Sequence, residues 1–231
     1  MELALQAAAL VAIGSVNASD LRRVAIYVVC LVIAVSIHEF AHAFSADRLG
    51  DPTPSREGRL TLNPMSHADP VGTLALPTIA GLLHLPLLGW GRPVPTQPSY
   101  YTRKVSMRGG LALVSFAGPL SNLLQAVVTL LVLKGLMVAG VRSPGLEDIL
   151  RIFLRLNLVL FAFNLLPLHP LDGGKILSWL LPARFSYVDE FLERWGGLIL
   201  LVLVMALPGV LAVLLYPIFK LESLAFHALG L

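Results

Sequence analysis

His38, Glu39 and His42 stand in the pattern H-E-x-x-H near the end of a nearly uncharged stretch, residues 24–46. On a helix, residues four apart share a face, so the two imidazoles point the same way with a carboxylate beside them. Two imidazoles at that spacing bind Zn²⁺, and the carboxylate is placed to take a proton from a water that the metal activates. The stretch is long enough to cross a bilayer core, which needs about 20 residues. A charged group in hydrocarbon costs at least about 2.5 kcal/mol, so three titratable side chains together argue for chemistry over packing. The pattern points to a hydrolytic metal centre set inside a membrane.

Such a centre usually has three protein ligands plus water, so a distant position must supply another donor. Cys30 is the only cysteine, which excludes an internal disulfide and a cysteine-based zinc cluster. The elements that would have to bring a third ligand in are apolar. Of the 231 residues 56% are hydrophobic and 13% charged, and the mean hydropathy is +0.79. Soluble domains carry about 25% charged residues, and here the apolar residues cluster in long runs, so the chain reads as an integral membrane protein. The net charge of +3 resides mostly in loops, which suits membrane topology and argues against a nucleic-acid partner. The N-terminal apolar run lacks a basic n-region and a cleavage site, so it is not read as a removed signal peptide.

The expected architecture is an all-α polytopic membrane protein of about five to six transmembrane helices, forming one domain over residues 1–231. Spans are expected at 22–46, 107–138, 146–168 and 195–219, with 3–17 either a short span or an interfacial helix. Residues 208 and 209, Pro-Gly, mark a kink in the last of these. Residues 58–63 alternate apolar and polar side chains, which predicts one short cytoplasmic β element. A short helix is expected over 175–181. Residues 71–90 are apolar but interrupted by Pro77, Pro86 and glycines.

Arg48, Arg56, Arg59, Arg92, Arg103, Lys104 and Arg108 all fall between the spans 22–46 and 107–138. Positive residues mark the cytoplasmic side, so this stretch is placed inside the cell. Residues 71–90 then cannot cross once, and they are expected to form a re-entrant or interfacial segment. With one crossing between them, the ends of spans 22–46 and 146–168 face the same leaflet. That makes Asp172, just past the second of these, the best candidate for the missing ligand.

At this point a family resemblance appears. His38-Glu39-Phe40-Ala41-His42, Asn164-Leu165-Leu166-Pro167 and Pro170-Leu171-Asp172-Gly173 resemble the two signatures of the site-2 proteases, the intramembrane zinc metalloproteases of peptidase family M50. Gly118-Pro119-Leu120-Ser121-Asn122 is similar to the family's motif on the intervening helix, and the resemblance runs from about Ile37 to Leu177. It implies a zinc metalloendopeptidase that hydrolyses a peptide bond in or near a substrate's transmembrane segment. Carried over, His38, His42 and Asp172 bind one Zn²⁺ and Glu39 is the catalytic base. Asn164 and Asn122 contact substrate, though each also suits a bond between membrane helices. The implied partners are the lipid bilayer and a transmembrane protein, such as a membrane-anchored anti-sigma factor. The implied location is the cell membrane, multi-pass, with the active site toward the cytoplasm. The chain has no room for the PDZ insertion or the C-terminal CBS modules of some relatives. His169 departs from the pattern, and it is read as a partner of the site, a pH-sensitive group or a surface residue. Two rivals stand beside this reading: a metal transporter, and a catalytically silent relative that binds membrane clients.

Overall fold

The computed structural model describes residues 17–83, 89–102 and 104–230. Asn17 accepts from the backbone N–H of Ser19 and Asp20, and Asp20 returns a bond to Asn17 N–H, a capping box that opens α1 (Ala18–Arg48). Most of the expected span 3–17 lies outside the described residues. Beyond α1 come a single turn, α2 (Thr53–Arg56), a π-helical stretch (Pro70–Ala75) and α3 (Leu76–Leu82). The long helices α4 (Met107–Val138) and α5 (Pro144–Asn164) follow, then the short α6 (Asp172–Leu180). The chain finishes in α7 (Ser186–Met205) and α8 (Pro208–Leu229).

Helices α1, α4 and α5 pack on one another and carry the site. Cys30, Leu31, Ala34 and Val35 of α1 meet Leu156 of α5 in one buried cluster. Ala126 and Leu133 of α4 meet Leu154 and Leu158 of α5 and Leu215 and Ile218 of α8 in another. The opposite faces of these helices remain apolar: Val29 and Ile33 on α1, Leu124 and Val128 on α4, Val213 on α8 are exposed. Helices apolar on both faces fit a lipid surround. Among the described residues three helices are long and apolar enough to cross a membrane, Ala18–Arg48, Met107–Val138 and Pro208–Leu229. The expected span 146–168 falls short on composition, because α5 carries Glu147, Asp148, Arg151 and Arg155. One of these charges is matched: Arg155 pairs with the buried Glu222 of α8, at 3.3 Å.

Two expectations are corrected. Residues 58–63 form no strand; the segment winds around two buried polar side chains instead. The Arg59 guanidinium donates to the Ser66 carbonyl, and His67 Nε2 bonds the Thr61 carbonyl at 2.7 Å. Among the described residues the β pairing is a single bridge between Ala68 and Gly91. The alternation in 58–63 therefore reflects which side chains turn into this knot, not a pleated face. The single last span 195–219 is likewise two helices, broken at Ala206–Leu207. Pro208 has no N–H to continue α7 and disfavours helical backbone at the residue before it, and Leu207 adopts φ −127°, ψ 48°.

The segment 71–90 begins and ends at one place. The Trp90 N–H donates to the Gly72 carbonyl at 3.2 Å, and Thr73 Oγ donates to the Trp90 carbonyl at 2.7 Å. From there residues 91–97 run as extended chain past the end of α1. Asp51, fully buried, anchors them by accepting from Gln97 N–H at 2.5 Å while also accepting from Thr53 N–H at the start of α2.

Candidate metal centre

The C-terminal half of α1, the N-terminal half of α4 and the N-terminus of α6 meet beneath this extended chain. His38 and His42, one turn apart, bring their Nε2 atoms within 3.0 Å of each other. Asp172, the first residue of α6, points Oδ2 at both, 3.3 Å from His38 Nε2 and 3.2 Å from His42 Nε2. The three ligand atoms lie within 4.8 Å of one another, and all three residues are buried. Two imidazole nitrogens and one carboxylate oxygen are a donor set for a catalytic zinc ion. Asp172 turns this oxygen to both imidazoles, and its carboxyl must be ionised to serve as a ligand. Its Oδ1 faces Lys175 Nζ at 3.8 Å, so the two carboxylate oxygens are divided between the histidines and a cation.

Each imidazole is held from behind. His42 Nδ1 bonds the Val114 carbonyl of α4 at 2.7 Å, and a carbonyl only accepts, so Nδ1 carries the proton. His38 Nδ1 lies 2.6 Å from Asn122 Oδ1, Asn122 Nδ2 donates to Asn157 Oδ1 at 2.9 Å, and Asn157 Nδ2 donates to the Phe153 carbonyl at 2.9 Å. The Phe153 carbonyl fixes the direction of the whole chain. Asn157 must turn its NH₂ to that carbonyl, which leaves its oxygen for Asn122 and the Asn122 oxygen for His38. His38 Nδ1 is thereby the donor, and both Nε2 lone pairs are left for a cation.

Gly118 makes the space. A Cβ there would stand 2.6 Å from His38 Nε2 and closer still to His42 Nε2, so no larger residue fits opposite the ligand atoms. Gly173 has the same role in the Asp172 loop, where a Cβ would collide with the Leu165 and Leu166 backbone.

Glu39 lines the same cavity of about 410 Å³ as His38, His42, Ser115, Asn164 and Asp172. Its Oε2 accepts from the Val94 N–H of the extended chain at 3.2 Å. Asn164 lies on the cavity wall, with Nδ2 donating to the Leu160 carbonyl at 3.0 Å and its second amide hydrogen left over. Asn122 is placed differently from the expectation of substrate contact. It is fully buried and its amide is taken up by His38 and Asn157, so it orients a ligand. His169 reaches away from the centre, to Ser178 Oγ at 3.3 Å and Asp189 at 3.5 Å.

Three contributors were missed from sequence. Asn157 carried a signal, since it sits seven residues before Asn164, two turns along the same face of α5. Gly118 stood inside a recognised motif without its steric reason being visible. Ser115 gave no signal at all.

A buried His-His-Asp set with a glutamate in the same cavity, between apolar helices, has the make-up of a metallopeptidase centre. Comparison with known proteins narrows this. The Peptidase family M50 profile matches residues 136–207, the part that holds Asp172. The "Putative zinc metalloprotease YwhC" of Bacillus subtilis is 41% identical over 181 residues, 76% of this chain and 78% of its own. Two proteins described as "Putative zinc metalloprotease Rip2" also match. That of Mycolicibacterium smegmatis is 30% identical over 74% of this chain and 63% of its own. That of Mycobacterium tuberculosis strain H37Rv is 33% identical over 64% and 54%. No solved structure matches. The chain belongs to peptidase family M50 and is a zinc metalloendopeptidase of the membrane.

Proposed function

We propose that this protein hydrolyses a peptide bond in or near the transmembrane segment of a membrane protein. The observation that carries the reading is the convergence of His38, His42, Asp172 and Glu39 on one cavity, between helices apolar enough to cross a bilayer. From the end of α1 at Arg48, His42 lies six residues in, about 9 Å along the helix, so the centre sits below the membrane surface. The basic residues that flank the site support a cytoplasmic position for that surface, and the three helices able to cross support a multi-pass protein. The meeting of Gly72 with Trp90 supports a re-entrant segment 71–90, which returns the chain to the side it left.

His38, His42 and Asp172 would hold one Zn²⁺, which when bound would supply a Lewis acid to polarise the scissile carbonyl and lower the pKa of water toward about 7. Glu39 accepts the proton of the attacking water and passes it to the leaving amine. Asn164 donates its remaining amide hydrogen to the substrate carbonyl. Val114 and Asn122 keep the imidazoles in the ligating tautomer while this happens. A membrane-anchored regulatory protein, unwound locally in its spanning helix, is the substrate class that such a buried site suits.

The test is reconstitution with zinc and a model transmembrane substrate, comparing the wild type with Glu39→Gln. Loss of a general base lowers turnover by about 10²–10⁴-fold, with bound zinc unchanged. Cleavage that survives the substitution removes Glu39 from the mechanism. Zinc flux into vesicles without cleavage of any client replaces the protease reading with transport.

A further inference from the structure

Ser115 is 1% exposed, and among the described residues its hydroxyl has no hydrogen-bond partner. Other buried or half-buried hydroxyls of the helices behave differently. Ser36, Ser121 and Thr129 each donate to a backbone carbonyl of the preceding turn, at 2.6–2.7 Å. That bond is the ordinary fate of a helical serine in an apolar surround. Ser115 forgoes it and lines the cavity that holds Glu39, His38, His42 and Asp172.

A second observation falls on the same residue. Pro119 lies inside α4 and has no N–H, so the Ser115 carbonyl loses its i+4 donor. The unpaired hydroxyl thus sits on a residue whose main chain also lacks its regular i+4 donor. A buried hydroxyl left unpaired costs about 1–3 kcal/mol. The other unpartnered buried side-chain atoms, on His67, Tyr101 and Gln125, do not line this cavity.

Position adds to the argument. Val114 orients His42, Gly118 clears the ligand atoms and Asn122 orients His38, so this stretch of α4 forms one wall of the centre. Ser115 is the member of that wall whose polar group is not committed to the protein.

We propose that Ser115 is a substrate-binding residue: its hydroxyl donates a hydrogen bond to a main-chain carbonyl of the extended peptide in the cavity. The chemistry fits an unwound peptide and no other part of the substrate in particular. An unwound segment in an apolar surround carries free carbonyls that need donors, whatever its side chains. The contact is then sequence-independent and selects for unwinding. This rests on the protease reading given above.

The test separates binding from metal content and from turnover. The probe is a fluorescein-labelled model transmembrane peptide with a central Asn-Gly pair, which weakens its helix. In detergent, anisotropy measures its affinity for Glu39→Gln and for the double variant Glu39→Gln, Ser115→Ala. Zinc per chain is measured on both. The expected result is unchanged zinc and about five- to tenfold weaker binding in the double variant. Ser115→Thr, which keeps the hydroxyl, restores affinity. In the Glu39-containing protein, Ser115→Ala raises KM by a similar factor. Equal affinity with and without the hydroxyl overturns the proposal. So does loss of zinc in the double variant, which would make Ser115 a support of the metal centre. A peptide that fails to bind even Glu39→Gln, with zinc in place, defeats the protease reading itself and this proposal with it.

Discussion

Among the described residues two clusters bring histidine and carboxylate side chains together, and they are built very differently. His38, His42 and Asp172 form one; His169, Asp189 and Glu193 form the other, again with ligand atoms within 4.8 Å. In the first, both histidines are tethered at Nδ1, to Asn122 and to Val114, so Nε2 is free. In the second, His169 spends Nε2 on Ser178 and Asp189, and among the described residues nothing orients its other nitrogen. Ser178 Oγ also donates to Asp189, so the polar atoms satisfy one another. The first cluster has a glycine opposite its ligand atoms, whereas Glu193 of the second is exposed. Proximity of donors is thus common to both. What distinguishes a metal centre is that its donors are aimed, cleared and left unpaired. The second cluster is a clasp, tying α7 to the loop that ends at Asp172.

The sharpest way to break this contrast is to remove a ligand from each cluster. Asp172→Ala should strip zinc from the purified protein, read by elemental analysis, whereas unchanged content would reject Asp172 as a ligand. Next in size is Gly118→Ala, which leaves every donor in place. Overfilling a packed site costs about 1–3 kcal/mol, so zinc affinity should fall about 10–100-fold with helix content preserved by circular dichroism. Retained affinity would show that the ligand atoms have room to spare. Asn157→Leu tests the tether at its far end. Loss of such supporting bonds costs about 10–100-fold in metal affinity, expected here at the lower end because Asn122 remains. A competition titration against a chelator reads this, and an unchanged constant would mean that His38 needs no directional anchor. Smallest is Asp189→Asn, which should leave one zinc per chain and lower thermal stability by about 1 kcal/mol. A second metal equivalent lost on that substitution would make the clasp a metal site.

Much of the centre was legible in the sequence because its ligands obey local rules. Helical spacing alone joins His38, Glu39 and His42, and the count of crossings brings Asp172 to the same end. The helices were legible for the same reason, since long apolar runs leave the backbone few choices. What stayed hidden depends on a partner far along the chain. Asn157 matters through Asn122, and Asn122 through His38, a relay that no spacing rule connects. Gly118 is small because of atoms on another helix. The β element failed because buried Arg59 and His67 found carbonyls nearby, and that burial is a tertiary fact. The break at Leu207 was half visible: Pro208 marked the place, while two separate helices instead of a kink is a matter of packing.

The tethers behind the two imidazoles are an amide and a backbone carbonyl, both uncharged. A dication held by two neutral imidazoles and one carboxylate keeps a net charge of about +1, and these partners leave that charge in place. Lys175 near Asp172 Oδ1 adds to it. A carboxylate behind either histidine would make the ligand more basic and the ion a weaker electrophile. An ion held there would keep its strength as a Lewis acid toward the water and the carbonyl that reach it.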